Sequence, residues 1–125
     1  NIGCPKKYSP NKSILKLAKK EKVKLTITSK PIEAVTGADC VMTDKWVSMN
    51  DKVNKVSKKK TLKPYQVNKK LMSKANSDAI FMHCLPVGRG EEVTNEVIDG
   101  KQSVVWRQAL NRVHAQKSII KWCLD

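Results

Sequence analysis

Acidic residues are scarce in this chain, with 11 Asp+Glu against 25 Lys+Arg and a formal net charge of +14. A surplus that large makes nucleic acid the first partner to consider. Two further scarcities argue against it. Only Arg89, Arg107 and Arg112 are arginines, whereas the planar guanidinium fork is the usual reader of phosphates and base edges. Aromatic residues make up 5% of the chain, too few to interleave the lysine clusters as a base-stacking platform would require. Lys6-Lys7, Lys19-Lys20, Lys58-Lys59-Lys60 and Lys69-Lys70 fall instead at turns and on helix faces, as a solvated basic surface does. No apolar run approaches the roughly 20 residues that span a bilayer, and no charged start leads into an apolar block of signal-peptide type. The four cysteines, Cys4, Cys40, Cys84 and Cys123, lack CxxC spacing. That speaks against a zinc cluster or a small disulfide framework and fits a reducing cytoplasm.

What is present is an alternation of short β-branched runs with amphipathic stretches, the signature of βαβ units. The 125 residues predict one α/β domain with a Rossmann-like parallel sheet flanked by helices. Asn1 to Pro5 reads as the end of a strand whose beginning is absent, which predicts a piece of a longer protein. Ser9-Pro10-Asn11 announces a first helix carrying Ile14, Leu15, Leu17 and Ala18 on one side. Strands are expected at 25–28, 40–43, 79–82 and 103–106. Helices are expected at 31–35, 65–73 (opened by Pro64), 93–98 (closed by Gly100), and from Gln108 onward. The lysine-rich segment from Asn50 to Thr61 has no clean apolar period and predicts a mobile loop or loosely packed helix, the best candidate for a lid.

Ligands of open parallel sheets sit outside the carboxyl ends of the strands, and the polar residues gather there. Asp44-Lys45-Trp46-Val47-Ser48-Met49 follows one strand; His83-Cys84-Leu85-Pro86, with Gly88-Arg89-Gly90-Glu91-Glu92, follows another. The first run resembles the ornithine loop of ornithine carbamoyltransferases. Phe81 to Pro86 is similar to the cysteine motif of that family, Arg89 to Gly100 continues it, and Asn111-Arg112 through Lys117 resembles the start of its terminal helix. The likeness runs from about Gly3 to Leu124, and its specificity lies in the set, in order and spacing. The Ser48-Met49 pair and the His-Cys-Leu-Pro run favour the ornithine enzyme over its aspartate-using relative. Transferases acting on putrescine or acetylornithine stay open.

The resemblance implies a reaction in arginine metabolism without metal or cofactor. Carbamoyl phosphate binds first, and the ornithine side-chain amine attacks its carbonyl carbon, giving citrulline and phosphate. A free alkyl amine has a pKa above about 10, so the site must take up a proton, and Asp44, Cys84 and the leaving phosphate are the available acceptors. By resemblance Asp44 holds the α-amino group of ornithine, Ser48 and Met49 position the amino acid, and Cys84 lies at the reacting centre. Leu85 and Arg112 contact carbamoyl phosphate. Each has a structural alternative: a cap for Asp44, a turn and a core methionine for Ser48 and Met49, a buried apolar thiol for Cys84, a surface i,i+4 contact for Arg112. Trp46 is assigned to the core.

Two positions depart from the family pattern, with Gly88 where many bacterial relatives carry His and Asn50 where Gly is usual. They predict a more flexible 87–89 loop and an altered hinge. The phosphate-gripping loop and the trimer contacts of the family belong to an amino-terminal half outside these residues. The resemblance therefore implies a homotrimeric cytoplasmic enzyme when whole, no activity for this part alone, and a terminal helix with its apolar face bare.

Overall fold

The computed structural model describes residues 1–47 and 55–125. Four short strands alternate with helices: β1 (Ile2–Gly3), a 3-10 turn (Lys6–Tyr8), α1 (Lys12–Lys20), β2 (Ile27–Thr28), α2 (Pro31–Val35) and β3 (Cys40–Thr43). Then come α3 (Lys55–Leu62), a second 3-10 turn (Lys63–Tyr65), α4 (Lys69–Met72), β4 (Ile80–His83), α5 (Asn95–Ile98) and α6 (Val105–Leu124). All pairing between named strands is parallel, as the α/β expectation requires, and it falls into two separate pairs, β1 with β2 and β3 with β4.

The β3–β4 pair carries the core. Alternation along a strand sends successive side chains to opposite faces, so Val41 and Phe81 enter the interior while Cys40, Met42 and Ile80 leave it. Val41 and Phe81 join Val35 of α2, Leu71 and Met72 of α4, Val97 and Ile98 of α5 and Val105 at the start of α6 in one cluster. Parallel sheets are ordinarily covered on both faces, but the outward face here is only partly covered: Met42 is 57% exposed, while Met82, beside the start of α6, is half-buried. Along α6, Trp106, Leu110, Val113, Ile119, Ile120, Trp122 and Leu124 are also exposed, so its apolar face is open as expected. None of the described helices is long and apolar enough to cross a membrane.

Several elements differ from the sequence expectation. Residues 103–106 do not form a strand. Ser103 makes a single parallel bridge to Phe81, closed by Phe81 N–H to Gln102 O (2.8 Å) and Val104 N–H to Phe81 O (3.0 Å), after which the chain turns at once into α6. The β-branched Val104-Val105 pair suggested extension, but burial of Val105 on the core at the first turn of a helix overrides that propensity. The expected 65–73 helix is broken. Val67 leaves the helical path to bridge Val93, with Val67 N–H to Glu92 O at 2.9 Å and Thr94 N–H to Val67 O at 3.0 Å, and helix resumes only where the Asn68 side chain caps Leu71 N–H. The same bridge delays α5 to Asn95. Strand β2 shrinks to Ile27–Thr28. In α1, Asn11 caps Ser13 N–H (3.0 Å), yet Ile14 and Leu17 remain exposed. Of the 50–61 segment, residues from Lys55 on are helical and bury no side chain, which is the loosely packed alternative; residues 50–54, where the rest of the lid reading falls, lie outside the described residues.

Phe81 is fully buried at the centre of the cluster. Truncation to alanine is expected to lower unfolding free energy by about 3–5 kcal/mol, measured by urea denaturation. A loss below about 1 kcal/mol would mean that the cluster is not the core.

Candidate functional site

The register of β3 and β4 assembles the site. Thr43 lies beside His83, so the next residue on each strand, Asp44 and Cys84, emerges at the same carboxyl edge. Their side chains touch: the Cys84 thiol donates to Asp44 Oδ1 at 2.9 Å, and Lys45 N–H donates to the same oxygen at 2.6 Å. Asp44 is exposed and Cys84 half-buried, so the pair faces solvent at a strand end. Trp46 is buried, as assigned, and with Val47 it anchors the chain directly after Asp44. Ser48 and Met49, the residues expected to position the amino acid, lie outside the described residues, as does Asn50.

The two partners shift each other in opposite directions. The thiol hydrogen bond, then the Lys45 amide, hold the Asp44 carboxyl below its usual range against a desolvation that raises it. The hydrogen bond to Asp44, burial and the Asp44 charge push the Cys84 thiol up, while the positive charge of Arg112 pulls the other way. At neutral pH the pair is therefore a carboxylate and a neutral thiol. Cys84 here is a proton donor to Asp44, the reverse of a thiolate nucleophile.

Behind the pair lies a group of residues that the motifs spelled out but gave no role. His83 and Glu92 are both buried. His83 Nδ1 accepts Leu85 N–H at 2.9 Å, and its Nε2 faces Glu92 Oε1 at 3.4 Å. Glu92 Oε1 accepts the Gly88 N–H in a very short contact. These bonds fold the segment after Cys84 back on itself, with Leu85 at φ 53° and a cis Leu85–Pro86 peptide. A left-handed leucine costs about 1–2 kcal/mol, which the bond to His83 helps offset. The His83 backbone N–H is held by Gln108 Oε1 at 3.0 Å, so α6 is fastened to the strand end. Arg112 follows one turn later on α6, exposed but within electrostatic reach of Cys84.

The 87–89 segment is not the loose loop that Gly88 suggested. A Cβ on Gly88 would stand 2.7 Å from Glu92 Oε2, so the missing side chain lets backbone and carboxylate meet. Glu91 N–H to Gly88 O (2.9 Å) and Gly90 N–H to Val93 O (2.8 Å) tie the turn, and Arg89 grips Asp99 through both terminal nitrogens at 2.5 and 2.9 Å. Lys59 of α3 reaches Glu91 at 2.5 Å, fastening α3 to the same turn. Among the predicted residues, then, Asp44, Cys84 and Leu85 converge, Arg112 stands nearby, and His83, Glu92 and Gln108 were missed. No sequence signal was available for them, since nothing in a single sequence marks Glu92 as buried.

The family profile of the aspartate/ornithine carbamoyltransferase Asp/Orn binding domain matches residues 1–123. An ornithine carbamoyltransferase from Rhodopseudomonas palustris is 59% identical over 124 residues, which cover 99% of this chain and 40% of that protein. Among solved structures, the ornithine carbamoyltransferase from Pyrococcus furiosus superposes with a TM-score of 0.85 at 42% identity, over 94% of this chain and 39% of its own. The anabolic ornithine carbamoyltransferase from Campylobacter jejuni superposes at 0.90 with 35% identity, over 97% and 41%. The chain thus spans about 40% of the length of the curated relatives it matches.

Because Asp44 raises the Cys84 thiol, Asp44→Asn is expected to return that thiol toward the ordinary cysteine range and to speed its alkylation at fixed mildly alkaline pH. Peptide-resolved mass spectrometry after iodoacetamide pulses separates Cys84 from the other three cysteines; an unchanged pH profile would mean that the 2.9 Å contact is not formed in solution. The linkage has a sign on each side. The lowered Asp44 contributes stability above the ordinary carboxylate range that is lost as pH falls through its folded value, and the raised Cys84 contributes stability below the ordinary thiol range that is lost as pH rises through its own. Denaturation of the wild-type chain minus that of Cys84→Ala should accordingly show its largest difference between those two limits.

Proposed function

The chain belongs to the aspartate/ornithine carbamoyltransferase family as its Asp/Orn binding domain, and we propose that it is the ornithine-binding half of an enzyme that transfers the carbamoyl group of carbamoyl phosphate to the ornithine side-chain amine. The products are citrulline and phosphate. The observation that carries the reading is the Asp44–Cys84 contact at the joined ends of β3 and β4, supported by the names of the relatives. A carboxylate held ionised suits an ammonium, so Asp44 takes the α-amino end of ornithine and leaves the distal amine to point at the donor. Cys84, a neutral thiol, sits where that amine must shed a proton, and Asp44 behind it keeps an acceptor within one hydrogen bond. Leu85 presents its carbonyl to the carbamoyl amide, and Arg112 brings positive charge toward the phosphate from α6. Ser48 and Met49 complete the amino-acid contacts in this reading.

Transfer requires the two substrates to be held face to face, an alignment that can remove about 7–11 kcal/mol of the barrier. The carbamoyl phosphate would be held chiefly by a second, amino-terminal half, and the exposed apolar face of α6 supplies a surface for it. In this reading the complete enzyme is a cytoplasmic homotrimer that serves arginine biosynthesis or the urea cycle.

Two measurements test the reading. The 125-residue chain alone is expected to give no citrulline above a no-protein blank with both substrates present; turnover would remove the need for a second half. In the full-length protein carrying this domain, Asp44→Asn removes the charge and keeps the shape, with an expected loss of roughly 10- to 100-fold in kcat/KM for ornithine and a much smaller effect on carbamoyl-phosphate affinity. Equal losses for both substrates, or none for ornithine, would make Asp44 a cap and sink the assignment.

A further inference from the structure

One glutamine completes the edge of β4 that faces residues 102–104. On a strand, alternate residues direct their backbone groups to the same edge. Phe81 N–H donates to Gln102 O at 2.8 Å and Phe81 O accepts Val104 N–H at 3.0 Å. The next amide on that edge is therefore that of His83, and its partner in a continued ladder would be Val104 O. That carbonyl is already taken, because it accepts Gln108 N–H at 2.9 Å where the chain turns into α6. The Gln108 side chain supplies the acceptor instead, with Oε1 receiving His83 N–H at 3.0 Å.

This bond also controls where α6 points. Val105 is the one buried residue of the helix, and from Leu110 to its end the helix is exposed. Among the described residues, the bond to His83 is the one hydrogen bond from an α6 side chain to another element. Val105 alone would leave the helix free to swivel about its first turn, whereas Val105 and Gln108 together fix its heading. Arg112 follows one turn after Gln108 on the same face, about 6 Å further along the axis. Its charge reaches the strand end that Gln108 holds: the Cys84 thiol, pushed up by its hydrogen bond to Asp44, is pulled the other way by Arg112.

We propose that Gln108 is a positioning residue, which by holding the His83 amide aims α6 so that Arg112 stands beside Cys84 at the place where carbamoyl phosphate is gripped. The part played in transfer rests on the transferase reading above; the aiming of Arg112 at Cys84 does not. The task needs a side chain long enough to cross from the helix to the strand backbone and ending in an acceptor. Glutamate keeps both properties, methionine keeps the length without a strong acceptor, and asparagine keeps the amide but is one methylene short.

The full-length protein carrying this domain tests the proposal. Gln108→Met is expected to lower kcat/KM for carbamoyl phosphate about tenfold or more, and Gln108→Glu to stay within about threefold of wild type. Combined with Arg112→Ala, Gln108→Met should add no further loss, because an arginine that is gone cannot be misaimed; a merely structural defect would add to it. A second arm needs no substrate. At fixed mildly alkaline pH, Gln108→Met should slow iodoacetamide alkylation of Cys84 as much as Arg112→Ala does, about twofold or more, and the double variant no more than either. If Gln108→Met does not fold, Gln108→Asn takes its place with the same expectations. Wild-type rates in the variant lacking the acceptor, a loss in Gln108→Glu as large as in Gln108→Met, or effects that add to those of Arg112→Ala would each overturn the proposal. A wild-type protein that makes no citrulline would sink the transferase reading, and the alkylation arm would still decide whether Gln108 aims Arg112.

Discussion

The in-register pairing of β3 with β4 is the constraint on which the rest depends. Val41 and Phe81 sit beside each other in this ladder, and both point into the core because a strand alternates its faces. A slip of one residue would turn the buried set outward and would also separate Asp44 from Cys84, since each is the first residue beyond its strand. Core burial and site geometry are therefore enforced by the same register, and the apolar packing around Phe81 holds a polar contact that would be weak by itself.

The strand end is fastened from behind by groups that are costly to bury. His83 and Glu92 are out of solvent, and an isolated buried charge would be strongly disfavoured. Here each side chain spends one atom on backbone, His83 Nδ1 taking the Leu85 amide and Glu92 Oε1 the Gly88 amide, while His83 Nε2 and Glu92 Oε2 are buried without a hydrogen-bond partner. Their effect is to set the path of Cys84 to Gly88, including the left-handed Leu85. Gly88 belongs to this device through its missing Cβ, so a residue that reads as a source of looseness is a point of close contact. Gln108 and Lys59 extend the same fastening to α6 and α3.

Much apolar surface remains open. Part of it lies on the outward face of β3–β4 and along α6, and the rest on and around α1, α2 and α3, where Ile14, Leu17, Val23, Ile32 and Val56 are exposed. The open face of α6 is the surface on which the proposed amino-terminal half would pack, and the chain covers about 40% of the length of its relatives.

Local chemistry was readable from the residues. The alternation of β-branched runs and amphipathic stretches gave the α/β class, the positions of β3 and β4 came within a residue, and the polar residues after each strand pointed to the edge where Asp44 and Cys84 meet. The order of the Asp44, Cys84 and Arg112 motifs pointed to the family because those residue types at those spacings rarely recur together. What the residues could not convey was everything that depends on pairs distant in the chain. Val67 abandons a helix for Val93, Ser103-Val104 turns into a helix after one bridge, and Glu92 goes inside to meet Gly88. In each case a long-range hydrogen bond or a buried contact outweighs a local preference worth about 1 kcal/mol or less. The sequence by itself determined which polar groups would follow which strands; the tertiary structure alone decided that the Cys84 thiol would donate a hydrogen bond to Asp44, because only the β3–β4 register brings residues forty positions apart to 2.9 Å.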